Sequence, residues 1–595
     1  MISKNIFDYM HIAEAAYGNF FDDDNTLITD NAKIKEIFAK LEMGDEESAQ
    51  VNLFIQNWNV LAHWKDRAEG IGGIADGVLR NESGFSGTLF QGKENTDLAG
   101  KYVLGLKGTA GITDLAVTDG ADIVLDGLAT DQIVDMYNFW QQITAPAGSV
   151  YTAATLETDF LLTPVYLGMS LNAFPEFVLE HNLEGKGYFF DHPSCTVRKI
   201  VFKPSNELYS DERATGLGIN PAQVVVTGHS LGGHLAAAFS RLFPDRTEHA
   251  WMMNGAGFGA AGSVLSPRAK FNIREVFQAL QGVDAFDPEK ITNLIGDKNI
   301  DFVANDWLIG LRQPGRAPEI FIESPWRKVL GHGSEGVVDT AAVMDLFLRI
   351  DAQLQERPVY EILPSLNELF KSINRSDVFA LEDIVYALDV LYHGENTVKV
   401  KDEDRDKLFE RIVGIREAIK ENGSRYIESL LDKSPDQITE LARNDISVRY
   451  ALVHLNPFAV RGDDGLYQKF NKNMELALYD PQTGKGLTDE YLQARSKMLY
   501  LENKLRMEDK SWAPTDLAST GGYYEDRGAA VTVNNVRESS EWIIAPKYIF
   551  GSDQGDSIET LYDISYLPSN DDHIFGGGDD VISGNSWNKI YASAV

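Results

Sequence analysis

The chain has 595 residues, 44% apolar and 24% charged, a balance that excludes a disordered chain and leaves room for two to four domains. A net charge of −35 excludes electrostatic binding to nucleic acid or to anionic membranes, and its clustered Asp suits Ca²⁺, which takes hard oxygen ligands. The single cysteine, Cys195, excludes an intrachain disulfide and fits either a reducing compartment or export of an unfolded chain.

In chain order, the segment Met1-Ile2-Ser3-Lys4-Asn5-Ile6-Phe7-Asp8 lacks the basic stretch, apolar core and cleavage site of a secretory signal. Residues 1–340 open with helical patterns and then alternate helices with short apolar runs, as in an α/β domain. Strands are predicted at Tyr102–Leu106, Lys199–Phe202, Gln223–Thr227, Ala250–Asn254 and Ile291–Ile295. About 120 residues separate Thr109 from Ser230, room for a large insertion. At about 144–180 this insertion is lid-like, with an apolar segment from Phe160 to Leu179 that includes Leu167 and Phe174. Pro164, Asn172, Pro175 and Glu176 interrupt that segment, so it cannot cross a membrane. It reads as a lid over an acyl pocket or as a buried helix pair.

Residues 341–510 form a mainly helical region. Leu408, Ile412, Ile415 and Ile419 share one helix face ahead of Gly423. Thr488 is placed to cap a helix whose stripe is Tyr491, Ala494, Met498, Leu501 and Leu505. Residues 511–595 shift to Gly, Asp, Asn and Ser with isolated isoleucines, a β-rich composition. There Asp556-Ser557-Ile558, Asp572-His573-Ile574, Asp580-Val581-Ile582 and Asn588-Lys589-Ile590 recur, with isoleucines 16, 8 and 8 residues apart. The stretch Gly576–Ile582 is one residue shorter than the G-G-x-G-x-D-x-U-x repeat. In that reading Asp556, Asp572, Asp580 and the carbonyls of Gly576 and Gly578 face Ca²⁺ while the isoleucines stack inward; an Asp/Gly-rich turn in an ordinary β domain is the alternative.

The chemistry is carried by Gly228-His229-Ser230-Leu231-Gly232, a G-x-S-x-G between a β-branched run and a helix rich in Gly and Ala. Strand, tight turn and helix are the setting in which a serine is held on a strained elbow. A serine nucleophile needs a base and a carboxylate to orient it, in the chain order Ser, acid, His. Asp297, Asp301 and Asp306 all follow the strand Ile291–Ile295; Asp301 is preferred and Asp297 is next. Of the later histidines, His332 lies in the loop Leu330-Gly331-His332-Gly333-Ser334 before an apolar helix at Val337–Leu348, whereas His393, His454 and His573 belong to the helical and repeat regions. His229 and His234 flank the serine too closely to reach its Oγ and read as packing residues. The oxyanion takes two amides, Leu231 at the helix start and Thr109 after the strand Tyr102–Leu106.

On these residues the stretch from about 90 to 345 resembles the class 3 lipases of the α/β-hydrolase superfamily, through the Gly-His-Ser-Leu-Gly-Gly elbow, a strand ending in Gly108-Thr109 and a later Asp-x-Val. Lys107 stands where the family usually has Arg, and Asp301-Phe302-Val303 where Asp-Pro-Val is commoner. Together with the Asp/Gly repeats, the arrangement is similar to bacterial secreted lipases and phospholipases A1 with RTX-type calcium-binding repeats. Leu455–Val460 and Tyr479-Asp480-Pro481 resemble the linkers of such proteins. The resemblance implies an α/β-hydrolase catalytic domain that cleaves triacylglycerols or the sn-1 ester of phospholipids at a lipid interface. It also implies structural Ca²⁺ and leaderless export through type I secretion machinery; a cytoplasmic location is the alternative. The chemistry itself calls for no cofactor.

Two other readings compete. One is a calcium-dependent secreted binding or surface protein with an inactive hydrolase domain, against which Ser230, His332 and Gly108-Thr109 all count. The other is an esterase or peptidase for small soluble substrates, against which the apolar insertion counts.

Overall fold

The computed structural model describes residues 4–41, 43, 47–65, 83–108, 128–159, 161–162, 174–191, 196–259, 266–297, 311–323, 333–373, 379–394, 404–419, 424–507, 523–528, 530–534, 547–551, 557–559, 573–576, 581–583 and 589–592. The chain forms two compact units, one of residues 1–345 and 358–363, the other of residues 346–357 and 364–595.

The first unit begins with helices α1 (Ile6–Ala15), α2 (Asn31–Lys40) and α3 (Ala49–Asn57). Its strands β1 (Trp58–Lys65), β2 (Ser86–Gly92) and β3 (Tyr102–Leu106) follow. Then come α4 (Thr130–Thr144), β4 (Thr152–Thr158), α5 (Phe174–Glu180), β5 (Tyr188–Asp191) and β6 (Thr196–Pro204). The elbow region comprises β7 (Val224–His229), α6 (Leu231–Leu242), β8 (Thr247–Met253) and β9 (Phe258–Gly259). After these come α7 (Ser266–Ala279), β10 (Ile291–Gly296), β11 (Leu311–Arg312), β12 (Glu319–Ile320) and α8 (Ser334–Ile350).

A seven-stranded sheet runs β1-β2-β3-β7-β8-β10-β12. The β1–β2 and β2–β3 pairs are antiparallel, and every pair from β3 to β12 is parallel. β7 is buried at every position, as expected of a β-branched run covered on both faces. One cover is α6, whose glycines and alanines let it lie close to β7 and β8. The other is α1, which packs on β7, β3 and β8 and is buried along its whole length. Its polar residues are taken up by α3: Gln50 donates to Glu14 at 3.0 Å, Asn57 to Asp8 at 3.4 Å, and the His11 ring meets Phe54 edge-on.

The insertion between β3 and β7 contains an antiparallel sheet of its own, ordered β4-β6-β5. Phe177, Val178, Leu183, Phe190, Val197 and Phe271 close a small core beneath it. Arg198 on β6 binds Asp131 at the start of α4 (2.8 Å) and Asp191 on β5 (3.1 Å), joining the insertion to the main body. Of the apolar segment expected as a lid or a helix pair, residues 160 and 163–173, Leu167 included, lie outside the described residues. Its final helix α5 buries Phe177 and Val178 and turns Leu179 outward, as Leu161 is turned. The predicted strand Lys199–Phe202 lies within β6, in this antiparallel sheet and not beside β7.

In the second unit, Thr488 Oγ1 accepts the Tyr491 amide (3.1 Å) and caps the helix Asp489–Met507, whose Tyr491, Ala494, Met498 and Leu501 are buried. Leu408, Ile412 and Ile415 are likewise buried on the helix Arg405–Ala418. An antiparallel pair, β13 (Tyr426–Ser429) and β14 (Phe458–Arg461), interrupts the helices. Buried Arg495 donates to the carbonyls of Leu452 and Val453 and pairs with Asp526.

The C-terminal strands are β15 (Tyr523–Asp526), β16 (Val531–Asn534), β17 (Lys547–Phe550), β18 (Ser557–Glu559), β19 (His573–Gly576), β20 (Val581–Ser583) and β21 (Lys589–Ala592). From β17 onward the chain visits two sheets alternately, β17, β19 and β21 in one and β18 and β20 in the other, all parallel. Ile549, Ile574 and Ile590 therefore fall in register, as do Ile558 and Ile582. The rings of Tyr524, Tyr548 and His573 stack at 4.8 Å steps, and Phe550 stacks on Phe575 with Tyr491 against the edges of both.

Candidate active site

Ser230 sits between the last residue of β7 and the first of α6, with φ 56° and ψ −120°. A side chain other than glycine's strains the backbone there by about 1–3 kcal/mol, a cost found where the surrounding structure over-determines the conformation. Four hydrogen bonds do so here. The Ser230 amide donates to the Met253 carbonyl (3.0 Å), and its carbonyl accepts from the amides of Gly233 (3.0 Å), His234 (3.3 Å) and Ala256 (3.1 Å).

The glycines around the serine are needed for close approach. A Cβ on Gly232 would stand 2.1 Å from the Leu106 carbonyl oxygen, and one on Gly108 would stand 2.3 Å from the His229 oxygen. The end of β3 is thus laid directly across the elbow, consistent with Leu106 pairing with Gly228 in the sheet. Leu231 opens α6, where the first amides of a helix have no intrahelical acceptor and carry the positive end of its dipole.

The far side of the site is held by amide side chains. Asn254, in left-handed conformation at φ 45°, follows β8; its amide donates to the Leu294 carbonyl and its Oδ1 accepts the Gly296 amide (3.0 Å). Asn293 brackets Gly255, accepting from its amide and donating to its carbonyl at 2.9 Å each, and Gln313 donates to the same carbonyl at 3.1 Å. β11 pairs with β9, so residue 311 is held against the loop after β8.

Of the expected site residues, Ser230, Leu231 and Asp297 are described, whereas Thr109, Asp301, Asp306 and His332 lie outside the described residues. Asp297 directly follows β10; its amide donates to the Ile320 carbonyl (2.9 Å) and its Oδ1 accepts the Ile322 amide (3.0 Å). That carboxylate oxygen therefore fastens the exit of β12. The segment with Asp301 leaves from Asp297 and returns at β11, and the segment with His332 leaves after Glu323 and returns at α8. Of the expected metal ligands, Asp556, Asp572, Gly578 and Asp580 also lie outside the described residues, and Gly576 ends β19. Among the described residues no group of His, Cys, Asp and Glu could hold a metal ion.

His234 is fully buried, with Nδ1 on the Gly257 carbonyl (3.0 Å), Nε2 accepting the Ala129 amide (3.4 Å) and its ring stacked on Phe258. Burial lowers its pKa from 6.5 to about 4, so it stays neutral and its ring nitrogens serve the scaffold. His229 Nδ1 meets the Tyr17 hydroxyl at 2.8 Å. No local signal marks Tyr17, which lies 212 positions from its partner, and none marks Asn254, Asn293 or Gln313.

No protein family matches the chain, and no curated protein does. Among solved structures it is similar to the Lip2 lipase from Yarrowia lipolytica, at 15% identity over 54% of this chain and 81% of that one, with a TM-score of 0.23. At that distance neither residues nor chemistry transfer, and the site stands on its own geometry. Among the described residues no helix is long and apolar enough to cross a membrane.

Proposed function

We propose that the chain is a serine carboxylic-ester hydrolase that cleaves acyl esters of lipids through an acyl-enzyme. The observation that carries this reading is the backbone of Ser230, a non-glycine residue held at φ 56° between a parallel strand and a helix N-terminus. Strain of this kind has a use when it lifts a nucleophile above the sheet edge. Ser230 Oγ attacks the ester carbonyl, His332 takes its proton and returns it to the leaving alcohol, and Asp301 orients the imidazole, with Asp297 as the alternative acid. The amides of Leu231 and Thr109 hold the oxyanion. The order Ser, acid, His then follows the parallel strands β7, β10 and β12, whose C-terminal ends share one edge of the sheet.

A lipid substrate is favoured by the resemblance of the Gly-His-Ser-Leu-Gly-Gly elbow to class 3 lipases and by the insertion, which closes a small core with Phe271 of α7 and exposes Leu161 and Leu179. Ca²⁺ is proposed as a structural ion of the C-terminal strands. Asp556 immediately precedes β18 and Asp580 immediately precedes β20, and these strands pair with Ser557 opposite Val581. Carboxylates gathered in so short a stretch of chain suit a hard divalent cation, which takes oxygen ligands. Asp556, Asp572, Asp580 and the carbonyls of Gly576 and Gly578 are the proposed oxygen donors, and the ion supplies charge neutralisation to the fold. Secretion of such a chain remains part of this proposal.

The deciding experiment labels the purified chain with a fluorophosphonate and follows hydrolysis of an acyl-chain series on triglyceride and phosphatidylcholine, with and without Ca²⁺. Labelling confined to Ser230, with labelling and hydrolysis both lost in Ser230→Ala, supports the reading. Labelling that survives Ser230→Ala refutes the elbow assignment, and calcium-dependent lipid binding without turnover moves the protein to the class of binding proteins.

A further inference from the structure

We propose that Tyr17 is a positioning residue whose hydroxyl holds the nucleophile segment and the oxyanion segment in one geometry; this rests on the hydrolase reading above. Three observations meet at its oxygen. The hydroxyl lies 2.8 Å from His229 Nδ1, one residue before Ser230. A Cβ placed on Gly108, one residue before Thr109, would stand 2.6 Å from the same oxygen, so only glycine lets the phenol and the end of β3 come together. The Gly108 backbone favours the charged form of the phenol, opposing burial, which raises its pKa above the ordinary range. Tyr17 lies just past Ala16, the C-cap of α1, the wholly buried helix that packs on β3 and β7.

A phenol hydroxyl is both donor and acceptor, so it can give its proton to His229 Nδ1 while its lone pairs face the Gly108 amide. The two segments it touches are the two that carry the proposed oxyanion donors, Thr109 and Leu231, and one of them also carries the nucleophile. Donors of this kind act only when placed to within about half an ångström, which takes support from groups that never touch the substrate. Tyr17 supplies such support from a rigid element far away in sequence.

The test uses the full chain as Tyr17→Phe, His229→Leu, His229→Gln and Tyr17→Phe/His229→Leu. Each is normalised by active-site titration and assayed with p-nitrophenyl butyrate and an alkyl fluorophosphonate. Positioning predicts that kcat and the inactivation rate constant fall together by about 10- to 100-fold in Tyr17→Phe at nearly constant KM. The double variant should lose no more than the worse single one. His229→Gln, whose amide oxygen still accepts from the phenol, should regain most of what His229→Leu loses. Wild-type rates per titrated site, with only melting temperature or yield reduced, overturn the role, and so does additive loss in the double variant. If Tyr17→Phe fails to fold, the contrast between His229→Leu and His229→Gln decides alone. A wild type that takes up no fluorophosphonate at Ser230 overturns the hydrolase reading itself, whereas labelled wild type with an unimpaired Tyr17→Phe overturns only the positioning.

Discussion

A Cβ on Gly228 would lie 2.4 Å from the carbonyl carbon of Gly232, so the strand that reaches the elbow and the helix that leaves it touch backbone to backbone. Neither position has a flexible side chain as neighbour; the obstructing atoms belong to the main chain of Gly232, Leu106 and Gly108. Gly228→Ala and Gly232→Ala should each cost about 3 kcal/mol or more of stability, because overpacking here has no cheap relaxation. Gly100 has nothing within 4 Å but sits at φ 76°, so Gly100→Ala should cost only about 1 kcal/mol of backbone strain. Urea denaturation of the three variants checks the contrast.

The two candidate acids should separate by which property they damage. Asp301→Asn should lower kcat by about 10⁴-fold through a misoriented imidazole. His332→Ala should approach the loss seen in Ser230→Ala, since members of a triad act as a unit. Asp297→Ala should act first on stability, by about 1–3 kcal/mol, because it strands the Ile322 amide. Asp297→Asn keeps an oxygen for that amide and should be milder. Parallel kinetics and melting curves distinguish these outcomes, and a larger kcat loss at Asp297 than at Asp301 would transfer the role.

His234 gives the first unit an acid sensitivity. Its pKa falls from 6.5 to about 4 on folding, so between those values the unfolded chain binds the proton and the folded chain does not. The stability is fully present above about pH 6.5 and drains as pH falls toward 4, by about 3 kcal/mol for this one group. His454 is lowered to about 4 by burial and by Arg495, so the second unit should lose stability over the same window. Urea midpoints at pH 7.5 and pH 5 should differ in wild type, and His234→Gln should narrow the difference for the first unit.

Ca²⁺ should order the strands from about residue 550 to residue 590. Its addition should raise protease resistance there and add β signal in circular dichroism, with Mg²⁺ a poor substitute because it demands stricter octahedral geometry. Equal resistance in chelator would identify an ordinary β domain. Asp556→Asn with Asp580→Asn should reduce the response to Ca²⁺.

Where local pattern dominates, the sequence was enough. β-branched runs announced β7 and β10, and the heptad-like stripes announced the helices at Arg405–Ala418 and Asp489–Met507; the isoleucines expected to stack as one series are instead divided between two sheets. β1 and β2 were missed because polar and small residues, such as His63, Thr88 and Gly92, dilute their apolar pattern, although sheet neighbours bury them. Of the insertion's antiparallel sheet only Lys199–Phe202 within β6 was expected; Thr152–Thr158 was missed because it is an amphipathic strand that makes sense only against β6. In the site, Ser230 and its glycines were legible because the elbow needs them within five residues. Tyr17, Asn254, Asn293 and Gln313 were not, since each acts on a partner from a distant part of the chain.

The helix Ile6–Ala15 leaves the ribosome long before the strand Val224–His229 against which it is finally covered. For about 200 residues of synthesis, at roughly 5–20 residues per second, its apolar surface lacks β7 and β8, the later strands it will lie on. A segment made early is thus enclosed late, and the sheet around β7 is not covered on this face until α1 comes back to it. Assembly of this sheet is therefore gated by contact between segments about 200 residues apart, so a nascent chain keeps one face of it open until β7 has been made.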